Sequence, residues 1–128
     1  MLTDERQDIK ISVVSEYQDP LSRIEENMYM FSYTVTIENK SKFPIQLLYR
    51  HWEIFDSQGE YQIVDGEGVV GKQPTIKSNE SFSYTSGAQL NSDYGKMKGH
   101  YFFINLETQQ GFAVDIPDFE LLTPFKLN

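Results

Sequence analysis

The chain has 128 residues, a length that suits one domain able to bury its own core. It contains no cysteine, which excludes disulfides, thiolate metal sites and cysteine nucleophiles. A formal charge of −8 repels phosphate backbones and anionic headgroups, so no nucleic-acid partner is expected.

With eight Tyr and nine Phe the composition is that of a folded domain rather than a disordered one. No window approaches the ~20 apolar residues of a membrane span. The opening "MLTDERQD" lacks the apolar stretch of a signal peptide. The expectation is a cytoplasmic protein without direct membrane insertion. Residues 1–8 are polar and read as a flexible N-terminal segment, and 9–128 as a single domain.

The dominant hydrophobic period from there is two. "IKISVVSEY" sets Ile9, Ile11 and Val13 on one face. "DPLSRIEENM", from Asp19, is too short for more than one helical turn. "MYMFSYTVTIE" is the clearest strand: Tyr29, Phe31, Tyr33, Val35 and Ile37 alternate with Met30, Ser32, Thr34, Thr36 and Glu38. The turn "NKSKFP" leads to "LLYRHWEIF", with Leu48, Trp52 and Ile54 on one face. "SQG" then leads to a plausible strand, "EYQIV". After the glycine-rich "DGEGVVGKQP" and the turn "KSN" comes "ESFSYTS", with Phe82 and Tyr84. "NSDYG" precedes "GHYFFINLE", which offers His100, Phe102, Ile104 and Leu106, though Tyr101 and Phe103 make its other face apolar too. "GFAVDIP" closes the series with Phe112, Val114 and Ile116.

Short strands at this spacing predict an all-β sandwich or barrel of about seven antiparallel strands. The expected core includes Trp52, Phe31, Tyr33, Val35, Phe82, Phe102 and Ile116. A strand as apolar as "GHYFFINLE" is hazardous as a bare edge, so it is expected to be central or paired across a homodimer.

Gly66, Gly68 and Gly71 spell GxGxxG, a spacing that can cradle a pyrophosphate. The dinucleotide form needs a helix immediately after, whose free N–H groups and dipole hold the anion. Pro74 and the β-branched Val69 and Val70 oppose such a helix, and Asp65 and Glu67 put negative charge at the site. The favoured reading is structural, with Gly66 and Gly68 at positive φ and Gly71 permitting close backbone approach in a segment crossing between sheets. Two ligand readings stay open. Loop amides of Gly66, Gly68 and Gly71 with Lys72 form an anion nest, or Asp65 and Glu67, with Asp56 nearby in sequence, hold a hard divalent cation. His51 or His100 joins such a site only through the fold.

Catalytic signals are sparse. No GxSxG occurs, Ser86 in "YTSGA" suits turn chemistry, and His51 and His100 read first as structural histidines. No enzyme activity and no cofactor are expected. Tyr94, Tyr61, Phe43 and Phe125 lie in or near loops, where aromatics serve as interface anchors.

Six runs taken together resemble the ApaG family: "FSYTVTIEN", "RHW", "DGEGVVGKQP", "FSYTSG", "GKMKGHY" and "DIPDFEL", in the family's order from about Ile9 to Pro124. The resemblance implies a fibronectin type III-like, immunoglobulin-like β-sandwich, cytoplasmic in bacteria. Family members are labelled cobalt and magnesium efflux proteins through genetic links to metal resistance. Their gene neighbours include a diadenosine tetraphosphate hydrolase. Related domains in eukaryotes are attached to an F-box protein and a DNA-polymerase-delta-interacting protein, as interaction modules. No catalytic residues carry over. Ser78-Asn79 stands where relatives often have Pro-Gly, and Asn tolerates the same positive φ. Without a membrane span the chain would influence metal flux through another protein or through regulation. The leading expectation is a non-enzymatic module with an unidentified protein partner. The alternative is a sensor of a small anion or divalent cation at the glycine loop.

Overall fold

The computed structural model describes residues 8–127. The expected flexible segment therefore lies outside the described residues except for Asp8, whose carbonyl accepts the Lys40 N–H at 2.8 Å.

The period-two runs become eight strands in two antiparallel sheets. The first sheet contains β1 (Ile9–Tyr17), β2 (Tyr29–Asn39) and β6 (Ser81–Leu90), in the order β1-β2-β6. The second contains β3 (Ile45–Asp56), β4 (Tyr61–Glu67), β7 (Tyr94–Asn105) and β8 (Gly111–Leu122), in the order β4-β3-β7-β8. A two-residue strand, β5 (Thr75–Ile76), pairs with the start of β3. The seven long strands match the expected number, and three packed on four is the expected sandwich. "DPLSRIEENM" holds two 3₁₀ turns, Asp19–Leu21 and Ile24–Glu26. Strand β7 is central, flanked by β3 and β8, as its two apolar faces require.

The core lies between the sheets. From β2 come Phe31, Tyr33, Val35 and Ile37, all buried, and from β8 come Val114 and Ile116. Trp52 sits at the centre of the second sheet and is edge-packed by Tyr33 (5.4 Å), Phe119 (5.8 Å) and Tyr101 (6.2 Å). Edge-to-face pairs of this kind add ~0.5–1.5 kcal/mol each beyond the area they bury. Phe82 packs against the margin of the core rather than inside it.

Phe102 is a correction. Its side chain is 37% exposed, while Tyr101 and Phe103 are fully buried. Both faces of β7 are apolar, so period two identifies a strand without saying which face turns inward. Bulges explain two further departures. Between Leu47 and Tyr49 the pairing of β3 with β7 skips Leu48. Ile45 and Leu47 point inward before the bulge, Trp52 and Ile54 after it, so Leu48 does not share their face. In β8, Pro117 and Asp118 oppose the single residue Lys98. Proline cannot donate to the ladder, so a bulge is where it fits. Past it the inward set changes from Val114 and Ile116 to Phe119 and Leu121, which carries β8 to Leu122.

Polar knots hold the turns. Buried Asn39 donates from Nδ2 to the Phe43 and Ile76 carbonyls (2.8 and 2.9 Å) and accepts the Ser41 N–H at Oδ1 (2.9 Å). Asn79 has φ +66°, and its N–H is donated to the Asn39 carbonyl, so the Ser78-Asn79 turn forms as expected. Asp56 is buried at the opposite end, accepting the N–H groups of Asn91 (2.6 Å) and Gln58 (3.2 Å). It ties two turns together and lies away from Asp65 and Glu67.

Candidate functional site

Strand β4 ends in the glycine stretch, and the chain reverses there in a two-residue hairpin. Val69 N–H is donated to the Lys72 carbonyl (2.8 Å) and Lys72 N–H to the Val69 carbonyl (2.9 Å), with Val70 (φ +43°) and Gly71 (φ +77°) at the tip. Both central residues at positive φ is the geometry that matches strand twist in tight hairpins. Both strands it joins belong to the second sheet, so the segment does not cross between sheets. The glycines also exchange their expected roles. Gly66 is the close-approach position, because a Cβ there would lie 2.7 Å from the Arg50 guanidinium carbon. Gly71 needs positive φ and meets nothing within 4 Å. Gly68 needs both, with φ +62° and a would-be Cβ 2.0 Å from the Lys72 carbonyl oxygen.

Arg50 has a role that period and motif do not reveal. Its guanidinium lies over Gly66 and donates from Nη1 to the carbonyls of Glu67 and Gly68, each at 2.9 Å. The cation thus cross-links β3 to the hairpin through backbone oxygens. Gly68 N–H goes to the Leu48 carbonyl at 2.8 Å, so the amides of Gly68, Val69 and Lys72 are all committed within the protein. Those of Val70 and Gly71 have no partner among the described residues.

Because residues alternate across β3, His51 turns to the outer face of the second sheet while Arg50 and Trp52 turn to the inner side, Arg50 to the hairpin clamp and Trp52 to the core. On that outer face His51 and His100 are cross-strand partners with stacked rings, 4.8 Å apart and 21° from parallel. His51 Nδ1 is 2.6 Å from Asp65 Oδ1 and its Nε2 is 3.2 Å from Glu53 Oε2. An imidazole can donate at both nitrogens only when protonated. The hydrogen bond to Asp65, opposed by partial desolvation and aided by Glu53, raises the His51 pKa above the ordinary histidine value. Glu53 in turn is held below the ordinary carboxylate value, first by the Tyr61 hydroxyl that donates to it and then by His51. In a pH titration followed by imidazole proton NMR, His51 is expected to titrate above the unperturbed value, and Asp65→Asn to bring it down. A raised folded-state pKa means the stability from this pair is complete below the unfolded-state pKa and lost as pH rises through the folded one.

Asp65 and Glu67 lie two residues apart on this face, with Asp65 engaged by His51 and Lys72 beyond the hairpin. Among the described residues no group of three or more His, Asp or Glu side chains is arranged to hold a metal ion. Ser86 lies within β6 beside Tyr33, hydrogen-bonded to its phenol. It is on the opposite sheet from both histidines and is not brought near them. Of the aromatics expected near loops, Tyr61 is exposed on the outer face of β4, and Phe125 is exposed with its ring edge-on to Tyr17 at 5.9 Å. Phe43 is half-buried, and Tyr94 is half-buried with its hydroxyl donated to Glu120 at 2.8 Å.

The two outer faces differ in kind. That of the first sheet carries Thr and Ser, paired across strands as Thr34 with Thr85 and Thr36 with Ser83, each at 2.8 Å. That of the second sheet carries Tyr49, Phe55, Tyr61, Ile63 and Phe102, half of the ten exposed large apolar side chains among the described residues, whereas the first sheet's face carries Val14 alone. Tyr49 and Phe102 pair with ring centroids 6.3 Å apart. Beside them is a shallow depression of about 450 Å³, lined by Tyr49, His51, Asp65, Glu67, His100 and Phe102 together with Arg50 and Gly66.

These features define a class: a three-on-four antiparallel sandwich of fibronectin type III-like architecture, with a clamped glycine hairpin beside an aromatic and histidine-bearing sheet face. The chain belongs to the ApaG domain family, whose description matches residues 20–105. It is 44% identical over 120 residues to Protein ApaG of Proteus mirabilis (strain HI4320), covering 94% of this chain and 95% of that protein. It is 45% identical over 114 residues to Protein ApaG of Salmonella arizonae, covering 89% and 90%. A solved structure described as a putative ApaA protein from Bordetella pertussis superposes with TM-score 0.88 at 39% identity, over 91% of this chain and 94% of that one. The C-terminal domain of wzt shares the fold alone, with TM-score 0.57 at 8% identity, over 90% and 72%.

Proposed function

We propose that this ApaG-family protein is a non-enzymatic protein-interaction module whose working surface is the outer face of the second sheet. The observation that carries this reading is the contrast between the two faces. One is a polar hydroxyl ladder, and the other carries five exposed apolar side chains, two of which, Tyr49 and Phe102, line a shallow depression. Water-facing sheet surfaces ordinarily alternate to polar residues, and a concentration of Tyr, Phe and Ile on one of them is the composition of an interface core. Val70 supports the same reading. A β-branched residue at φ +43° is strained, and its side chain at the hairpin tip is 54% exposed, so neither conformation nor burial explains it. Any influence on cobalt or magnesium handling would, on this reading, run through the partner. No described helix is long and apolar enough to cross a membrane.

Thermal unfolding with and without pyrophosphate, ATP, Mg²⁺ and Co²⁺ tests the module against the small-ligand sensor. A millimolar ligand of micromolar affinity stabilises the folded state by about 4 kcal/mol through mass action. The module reading predicts no such shift. A shift with pyrophosphate that is lost in Lys72→Ala would instead assign an anion to the hairpin.

A further inference from the structure

We propose that the free edge of β4 accepts an extended basic segment of a partner protein as an added antiparallel strand, with the segment's Lys or Arg side chains set against Asp65 and Glu67. This rests on the interaction reading above and gives it a surface and a partner chemistry.

The backbone comes first. Among the described residues strand β4 is the last in its sheet and pairs only with β3. Two bonds fix which of its residues face that neighbour: Gly68 N–H to the Leu48 carbonyl and Asp56 N–H to the Glu60 carbonyl. The register between them is one-for-one without a break. Hydrogen-bonded pairs alternate along an antiparallel ladder, so the even-numbered residues of β4 bond to β3. Tyr61, Ile63, Asp65 and Glu67 therefore turn their N–H and C=O groups outward. Arg50 covers the Glu67 carbonyl, which leaves an open donor–acceptor row from Tyr61 to Asp65.

Edges are commonly protected by lysine, proline, a bulge or a covering element. "YQIVDGE" contains neither lysine nor proline, its register is unbroken and, among the described residues, no other strand pairs with it. Its side chains extend the same surface. Tyr61 and Ile63 are 55% and 56% exposed, and Asp65 and Glu67 follow on the same face. The edge is thus apolar in its first half and acidic in its second.

Charge selects the occupant. A second copy would bring together two chains of −8 and two acidic edges, whereas a basic segment gains from both. Glu67 has no ion-pair partner among the described residues. Strand addition supplies affinity through the backbone and specificity through alternate side chains, here basic opposite Glu67 and Asp65 and apolar opposite Ile63 and Tyr61.

The test uses the whole chain, labelled with ¹⁵N, and the peptide Lys-Thr-Lys-Thr-Val-Thr-Val, whose antiparallel register places its lysines against Glu67 and Asp65. The amide signals of Tyr61, Ile63 and Asp65 are expected to shift on titration. Glu67→Lys should weaken binding at least tenfold. A peptide with Glu for both Lys, or one N-methylated at the second Lys and first Val, should not bind. The proposal is overturned if the Lys peptide moves no β4 amide, if the Glu peptide binds equally, or if β4 instead pairs with itself as protein concentration rises. A partner that crosslinks at Tyr49 or Phe102 while no peptide touches β4 overturns strand addition and leaves the interaction reading standing. The absence of a partner on any face overturns that reading itself.

Discussion

Replacing Trp52 with alanine is expected to cost about 3 to 5 kcal/mol of folding stability, the range for emptying a fully packed aromatic site. The ring is 2% exposed and has three aromatic neighbours, one from the first sheet (Tyr33) and two from its own (Tyr101, Phe119). Those neighbours are anchored on separate strands and cannot collapse together into the vacated space without moving the sheets. A domain with the usual stability of about 5 to 15 kcal/mol would lose roughly a fifth of it or more. Urea unfolding checks this: the midpoint should fall with little change in slope, and Trp52→Phe should recover part of the loss. A loss under 1 kcal/mol would mean that the centre of the sandwich is not where these contacts place it.

Gly68→Ala is expected to cost about 2 to 4 kcal/mol, for two separable reasons. A left-handed φ of +62° disfavours any Cβ by about 1 kcal/mol. The added carbon would also lie 2.0 Å from the Lys72 carbonyl oxygen, the acceptor of one of the two bonds that close the hairpin. Relieving an overlap of that size typically adds about 1 to 3 kcal/mol. Gly71→Ala serves as the comparison, since its φ of +77° carries the conformational cost without the clash, and it should lose roughly 1 kcal/mol. Thermal unfolding of both variants should show the same losses with and without pyrophosphate. A Gly68→Ala variant of undiminished stability would contradict the structural account of the motif.

Much of this architecture was legible in the sequence where one face of a strand is polar. In β2 the Thr, Ser and Glu positions leave only one way for Phe31, Tyr33, Val35 and Ile37 to point, and they point inward. Asn79 was legible for a local reason, its tolerance of positive φ. Phase was lost wherever the pattern stopped being two-sided. Strand β7 has Tyr101 and Phe103 on one face and Phe102 and Ile104 on the other, so the burial of the first pair depends on which sheet lies opposite. Bulges at Leu48 and at Pro117-Asp118 each shift the inward set by one, and a bulge is a property of a strand pair that a single run of residues does not display. The candidate site was legible only in pieces. Asp65, Glu67 and the glycines were visible as a loop, but the stacking of His51 on His100 and the Arg50 clamp come from cross-strand register between segments about fifteen to fifty residues apart. Nor does a motif show which loop amides are already bonded.

On the reading proposed above, the chain works through the outer face of its second sheet. Site-resolved photo-crosslinking in the cells that make it tests this directly, with benzoylphenylalanine placed singly at Tyr49 and Phe102 and, for comparison, at Thr34 and Ser83 on the opposite face. A discrete protein adduct is expected from Tyr49 and Phe102 and none from Thr34 or Ser83. Adducts confined to Thr34 and Ser83, or no adduct from either face, would contradict it.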